Sequence, residues 1–123
     1  MIEVDPEIAD AVRALRRMGI ACHLATNQES HTARYMSEVL GYSDLFDREF
    51  CSCQIGVMKP AGAYFRAILK EIRVEPSHVL FLDDNQVNVD SARKVGLHAA
   101  VFTLEAGLNE LHRILGEFGI HVG

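Results

Sequence analysis

Short apolar runs alternate along this chain with stretches in which apolar residues recur every three to four positions. Asp5-Pro6-Glu7 opens the first such stretch with an N-cap, a proline at the first helical position and an acid in the first turn. Ile8, Val12, Leu15 and Met18 then recur at helical spacing, and Gly19 ends the helix. Ile20 to Ala25 is an apolar run that predicts a strand ending at Thr26-Asn27. A second helix is expected from about Ser30, with Ala33, Met36 and Leu40 inward and Gly41 as its stop. Phe50 to Ser52 reads as a short strand, and Pro60 as the opening of a third helix with Tyr64 or Phe65, Ile68 and Ile72 in its buried stripe. His78 to Leu82 is the clearest strand, a nearly continuous apolar run of the kind that is covered on both faces. Val87, Ala92 and Val95 mark a helix stopped by Gly96, and His98 to Phe102 a further strand. Leu108, Leu111, Leu115 and Phe118 mark the last helix.

Strands separated by helices of this length imply right-handed crossovers and a parallel sheet in an α/β fold. Chemistry in such sheets sits at the carboxyl ends of the strands. The polar residues that directly follow the strands are therefore the ones to inspect.

Composition narrows the partners. The 123 residues are 49% hydrophobic and 24% charged, which suits one domain with a real core, and no repeat or low-complexity tract divides them. A net charge of −5 argues against nucleic acid, because too few Lys and Arg are present to displace counterions from a phosphate backbone. Arg13, Arg16 and Arg17 form the basic cluster, on what reads as a solvated helix face. No apolar run approaches the ~20 residues that span a bilayer, and Met1 is not followed by a basic leader, so no membrane role and a cytoplasmic location are expected. Cys22 reads as a core residue, and the close pair Cys51-Ser52-Cys53 as reduced thiols without a second pair to complete a zinc site.

Three groups stand at strand ends or beside helix starts: Thr26-Asn27, Lys59-Pro60 and Asp83-Asp84. Adjacent carboxylates repel each other and persist where a cation neutralises them, and a hard, oxygen-liganded ion such as Mg²⁺ fits. The plainer reading is a helix cap, but a cap needs one residue, not the run Asp83-Asp84-Asn85. Thr26 and Asn27 are ordinary loop residues taken alone, and Lys59 alone is an ordinary solvated lysine. Together they supply a hydroxyl donor, a fixed cation and metal-binding carboxylates, the minimum for holding a phosphoryl group.

These segments resemble a known family. Leu24-Ala25-Thr26-Asn27-Gln28, Met58-Lys59-Pro60 and Phe81-Leu82-Asp83-Asp84-Asn85-Gln86-Val87-Asn88-Val89 look like motifs II, III and IV of the haloacid dehalogenase (HAD) superfamily, in order. The text between the motifs, Leu40 to Asp47 and Ala92 to Ala99, resembles the family as well. The resemblance implies a three-layer αβα, Rossmann-like parallel sheet and a Mg²⁺-dependent phosphatase acting on a small phosphorylated metabolite. It implies that Thr26 bonds the transferring phosphoryl group and that Lys59 pairs with nucleophile and substrate. Asp84 would then be the Mg²⁺ ligand, Asp83 its acidic partner, and Asn27 and Asn88 would orient the surrounding loops.

Motif I of that family, an Asp-x-Asp whose first carboxylate is the nucleophile, occurs nowhere in this sequence. Residues 1–123 are thus expected to form a single partial core domain, truncated or N-terminally misannotated, without the central first strand, the cap or the nucleophile, and inert alone. The strands on either side of the absent one would have unpaired inner edges. Direct pairing of the two, another copy in a homo-oligomer, or an N-terminal segment would have to satisfy them. The competing reading is a non-catalytic binding or assembly protein on the same scaffold. A receiver domain also combines Thr, Lys and an acidic pair, but there the acidic pair comes first in the chain, whereas here it comes last. Dehalogenase chemistry fits the family but has less use for the Asp-Asp pair.

Overall fold

The computed structural model describes residues 6–26 and 45–121. Helix α1 (Pro6–Arg17) leads into strand β1 (His23–Thr26); β2 (Arg48–Cys51) runs directly into the single-turn α2 (Ser52–Ile55). Helix α3 (Gly62–Ile72), β3 (Leu80–Asp83), α4 (Gln86–Val95), β4 (His98–Val101) and α5 (Leu108–Glu117) follow. The expected second helix from Ser30 falls outside the described residues.

The strands form two separate parallel pairs, β1 with β2 and β3 with β4. Helices cover both faces. On one side Tyr64 and Phe65 of α3 and Val89 and Ala92 of α4 pack on Phe81 and Ala99, with Ala25 of β1 against the same cluster. On the other, Ala11 and Leu15 of α1 meet Leu111 and Leu115 of α5 over Leu80, Leu82, Cys22 and Phe102. Neighbouring strand residues serve opposite layers, as the two-residue period of a strand requires. Each layer takes residues in or next to both strand pairs, so the helices hold together two half-sheets that, among the described residues, do not pair with each other.

Backbone direction shows what lies between them. Asp47 N–H donates to the Cys22 carbonyl at 2.7 Å, which turns Cys22, Leu24 and Thr26 toward β2 and His23 and Ala25 the other way. Likewise His98 N–H donates to Val79 and Phe102 N–H to Asp83, so Leu80 and Leu82 face away from β4. Among the described residues, no strand pairs with these inner edges. Of the three ways expected to satisfy them, direct pairing of β1 with β3 is not what the structure shows.

The outer edges are guarded by side chains. The Tyr64 hydroxyl donates to the Phe50 carbonyl at 2.7 Å on β2, and Arg93 donates twice to the Ala99 carbonyl on β4, at 3.1 and 2.8 Å. Such caps blunt an edge against pairing with another chain.

Several boundaries shift from expectation for local reasons. Helix α3 starts at Gly62 rather than Pro60, because Lys59 and Pro60 form a turn ahead of it. His78 lies in a single 3-10 turn, Pro76–His78, so β3 starts at Leu80. Gly19 and Gly96 end their helices at positive φ, 88° and 111°, conformations that cost glycine little. Met18 and Val87 were expected inward and are 50% and 60% exposed, while Ala9, Ala11, Asn88 and Val89 take the buried positions. Cys51 is disulfide-bonded rather than reduced, and Cys22 is the free thiol among the described residues.

Candidate active site

The carboxyl ends of β1 and β3 point to the same place, and Lys59 joins them. Its ammonium donates to Asp83 Oδ2 at 2.7 Å and to the Ala25 carbonyl at 3.1 Å, and lies 5.6 Å from the centre of the Phe81 ring. Ala25 presents that carbonyl toward the gap, so Lys59 spans the divide between the half-sheets. Both partners of the ion pair are nearly sequestered, with 9% of the Lys59 side chain and 8% of the Asp83 side chain exposed. A pair this dry persists when its remaining hydrogen-bonding capacity is also met.

Asp83 meets that condition. Its Oδ1 accepts the Asn85 N–H at 2.9 Å, and the buried Asn88 amide approaches Oδ2 at 3.4 Å. Burial alone would push the Asp83 carboxyl upward; the Lys59 hydrogen bond and charge and the Asn85 N–H outweigh it and hold the group below the usual carboxylate range. Asp84, next door and exposed, is driven the other way, first by its contact with Asp83 and then by partial burial and the Asp83 charge. The acidic pair is thus divided. Asp83 is committed to the protein, while Asp84 faces solvent beside a negative neighbour.

The cap reading of the acidic run is resolved by the helix start itself. Asn85 is the N-cap of α4, its Oδ1 accepting the Val87 N–H at 2.8 Å. That leaves both carboxylates to other roles. Ser91, one turn into α4, donates to the Pro60 carbonyl and ties this helix to the loop that carries Lys59.

Of the expected site residues, the structure brings together Lys59, Asp83, Asp84 and Asn88. Thr26 is the last residue of β1, opposite Cys51 in register, which puts its backbone at the same end of the sheet; its side chain and Asn27 lie outside what is described. Sequence reasoning missed three contributors: the Ala25 carbonyl, the Asn85 N–H and Ser91. The first two are backbone groups and carry no side-chain signal, and Ser91 looks like any polar helix residue until the loop folds against it.

Among the described residues, no group of three or more His, Cys, Asp and Glu side chains converges. Mg²⁺ does not need one, since it is held by one or two carboxylates with water and phosphate oxygens completing its shell. Asp84 is a hard-oxygen donor whose ionised form a cation would favour, so the residues present fit half of such a site.

A buried Lys-Asp pair and a second, exposed carboxylate thus stand at the carboxyl end of a parallel strand pair, where α/β sheets bind their ligands. The family model for haloacid dehalogenase-like hydrolases matches residues 1–96, and the chain belongs to that family. A sesquiterpene phosphatase from Aspergillus oryzae is 30% identical over 93 residues, which are 76% of this chain and 47% of that protein. The chain spans about half or less of the length of the curated relatives it matches. Among solved structures, a predicted HAD-like hydrolase from Porphyromonas gingivalis superposes with a TM-score of 0.83 at 23% identity, over 98% of this chain and 60% of that one. A HAD family enzyme from Bacteroides thetaiotaomicron, in complex with magnesium and inorganic phosphate, superposes at 0.78 and 18% identity over 89% and 59%. These two likenesses speak for the fold. Among the described residues, no helix is long and apolar enough to cross a membrane.

Proposed function

We propose that this chain is part of the core of a Mg²⁺-dependent phosphatase that acts on a small phosphorylated metabolite. The observation that carries the reading is the Lys59–Asp83 pair spanning the two half-sheets with Asp84 beside it. In this reading Lys59 would neutralise a phosphoryl oxygen, Asp83 and Asn88 would keep its ammonium in position, and Thr26 would donate its hydroxyl to the phosphoryl group, as the family resemblance implies. Asp84 would hold Mg²⁺, which when bound offsets the negative charge of the phosphate. No Asp-x-Asp exists in the chain to act as nucleophile and acid/base. The proposal is that a parallel strand carrying those carboxylates seats between β1 and β3 and pairs with His23, Ala25, Leu80 and Leu82. An N-terminal segment of a longer protein is the expected source, and a second copy pairing through the same edges is the other.

The absence of Asp-x-Asp also favours a second reading, a binding or assembly protein on the same scaffold. A generic phosphatase assay, with and without Mg²⁺, separates the two. It compares this chain with one extended at the N-terminus by an apolar strand ending in Asp-x-Asp. The short chain is expected to be inert and the extended chain active only with Mg²⁺. Turnover by the short chain that Asp84→Asn abolishes would overturn the claim that it is inert alone, and an inactive but folded extended chain would favour the binding protein.

A further inference from the structure

The two most exposed large apolar side chains among the described residues are Val87, at 60%, and Met58, at 56%. Both are close in the chain to residues of the site. Met58 directly precedes Lys59, and Val87 is the second residue of α4, three positions beyond Asp84. Val87 and Ser91 are one turn apart on the same face of α4, and Ser91 is bonded to Pro60, two residues after Met58. The loop and the helix that carry the two side chains are therefore tied together.

Two polar side chains at the start of α4 are engaged locally. The Asn85 amide oxygen caps the helix through Val87 N–H, and Gln86 Nε2 donates to Asp90 Oδ1 at 2.8 Å. Among the described residues, the loop and helix start beside the phosphoryl site present two exposed apolar side chains, which a hydrocarbon body would bury and a polyhydroxylated body would not.

Resting on the phosphatase reading above, we propose that the site takes the phosphate monoester of an apolar, hydrocarbon-bodied alcohol. The phosphate lies toward Lys59 and Asp84, and the hydrocarbon lies over Met58 and Val87.

The test uses this chain with Mg²⁺ and a series of ethyl, butyl, hexyl and octyl phosphate, with inorganic phosphate and glycerol phosphate as comparators. Dissociation constants are read from amide chemical shifts. Affinity is expected to rise with chain length by about two- to fourfold for each CH₂ that becomes buried. In the variant Met58→Ser/Val87→Ser, octyl phosphate is expected to bind no more tightly than ethyl phosphate. Uniform binding along the series, or glycerol phosphate matching octyl phosphate, would overturn the inference and leave the phosphatase reading standing. If neither inorganic phosphate nor any ester binds, the phosphoryl site falls and this inference falls with it.

Discussion

The Lys59 ammonium sits 2.7 Å from the Asp83 carboxylate at the mouth of the gap between β1 and β3, and both side chains are nearly excluded from water. The same ammonium bonds the Ala25 carbonyl, so one side chain links two half-sheets that, among the described residues, do not pair with each other. The pair is a structural bridge and, in the proposed chemistry, a means of presenting a positive charge to a phosphate.

Removing one member of a buried pair leaves the other charged and unpaired, at a cost of several kcal/mol. Lys59→Met is expected to lower stability to urea by about 3 kcal/mol, near the lower end because Asn85 and Asn88 still reach Asp83. The double variant Lys59→Met/Asp83→Asn should recover more than half of that loss. If the two single changes simply added, the pair would not be coupled.

The Asp83 carboxyl is held below its ordinary value, so its folded form favours the ionised state. Its contribution to stability is present above the unfolded value of about 3.9 and is lost as pH falls through the lower folded value. Thermal midpoints taken between about pH 2 and pH 6 should fall most steeply at the acid end of that range. In Lys59→Met, that part of the slope should be largely gone.

Asp84 has the opposite sign. Its carboxyl is raised, so its contribution is present below the unfolded value and is lost as pH rises through the folded one. Asp84→Asn is therefore expected to raise the thermal midpoint slightly at neutral pH without metal. Mg²⁺ should raise the midpoint of the parent chain, by about 1.4 kcal/mol in stability at tenfold excess over Kd, and leave Asp84→Asn unmoved. An equal Mg²⁺ effect on both proteins would remove Asp84 from the metal site.

Tyr64 is fully buried, and its hydroxyl meets the outward carbonyl of Phe50 on the edge of β2. Tyr64→Phe keeps the ring and removes the donor, so a loss of about 1 kcal/mol is expected in chemical denaturation. Faster aggregation on mild heating should accompany it, because that edge loses its guard.

The apolar pattern was enough to place most elements, because helical and strand periods are local properties of the chain. Element ends shifted where a turn intervened, at Lys59-Pro60 and at Pro76–His78. Burial faces were read less well. Val87 fits the helical stripe by spacing, yet the helix turns Asn88 and Val89 inward, because Val89 and Ala92 fill the core against Phe81 and Ala99.

By itself, the sequence determined the alternation of strands and helices, the order Thr26, Lys59, Asp83-Asp84 and the absence of an Asp-x-Asp, since each can be read along one dimension. It could not divide the labour within the acidic pair. That Asp83 is consumed by Lys59 while Asp84 faces solvent depends on Ala25, Asn85 and Asn88 converging from two strands and a helix start. Adjacent carboxylates with the same intrinsic pKa are distinguished only by what surrounds them, and folding supplies those surroundings.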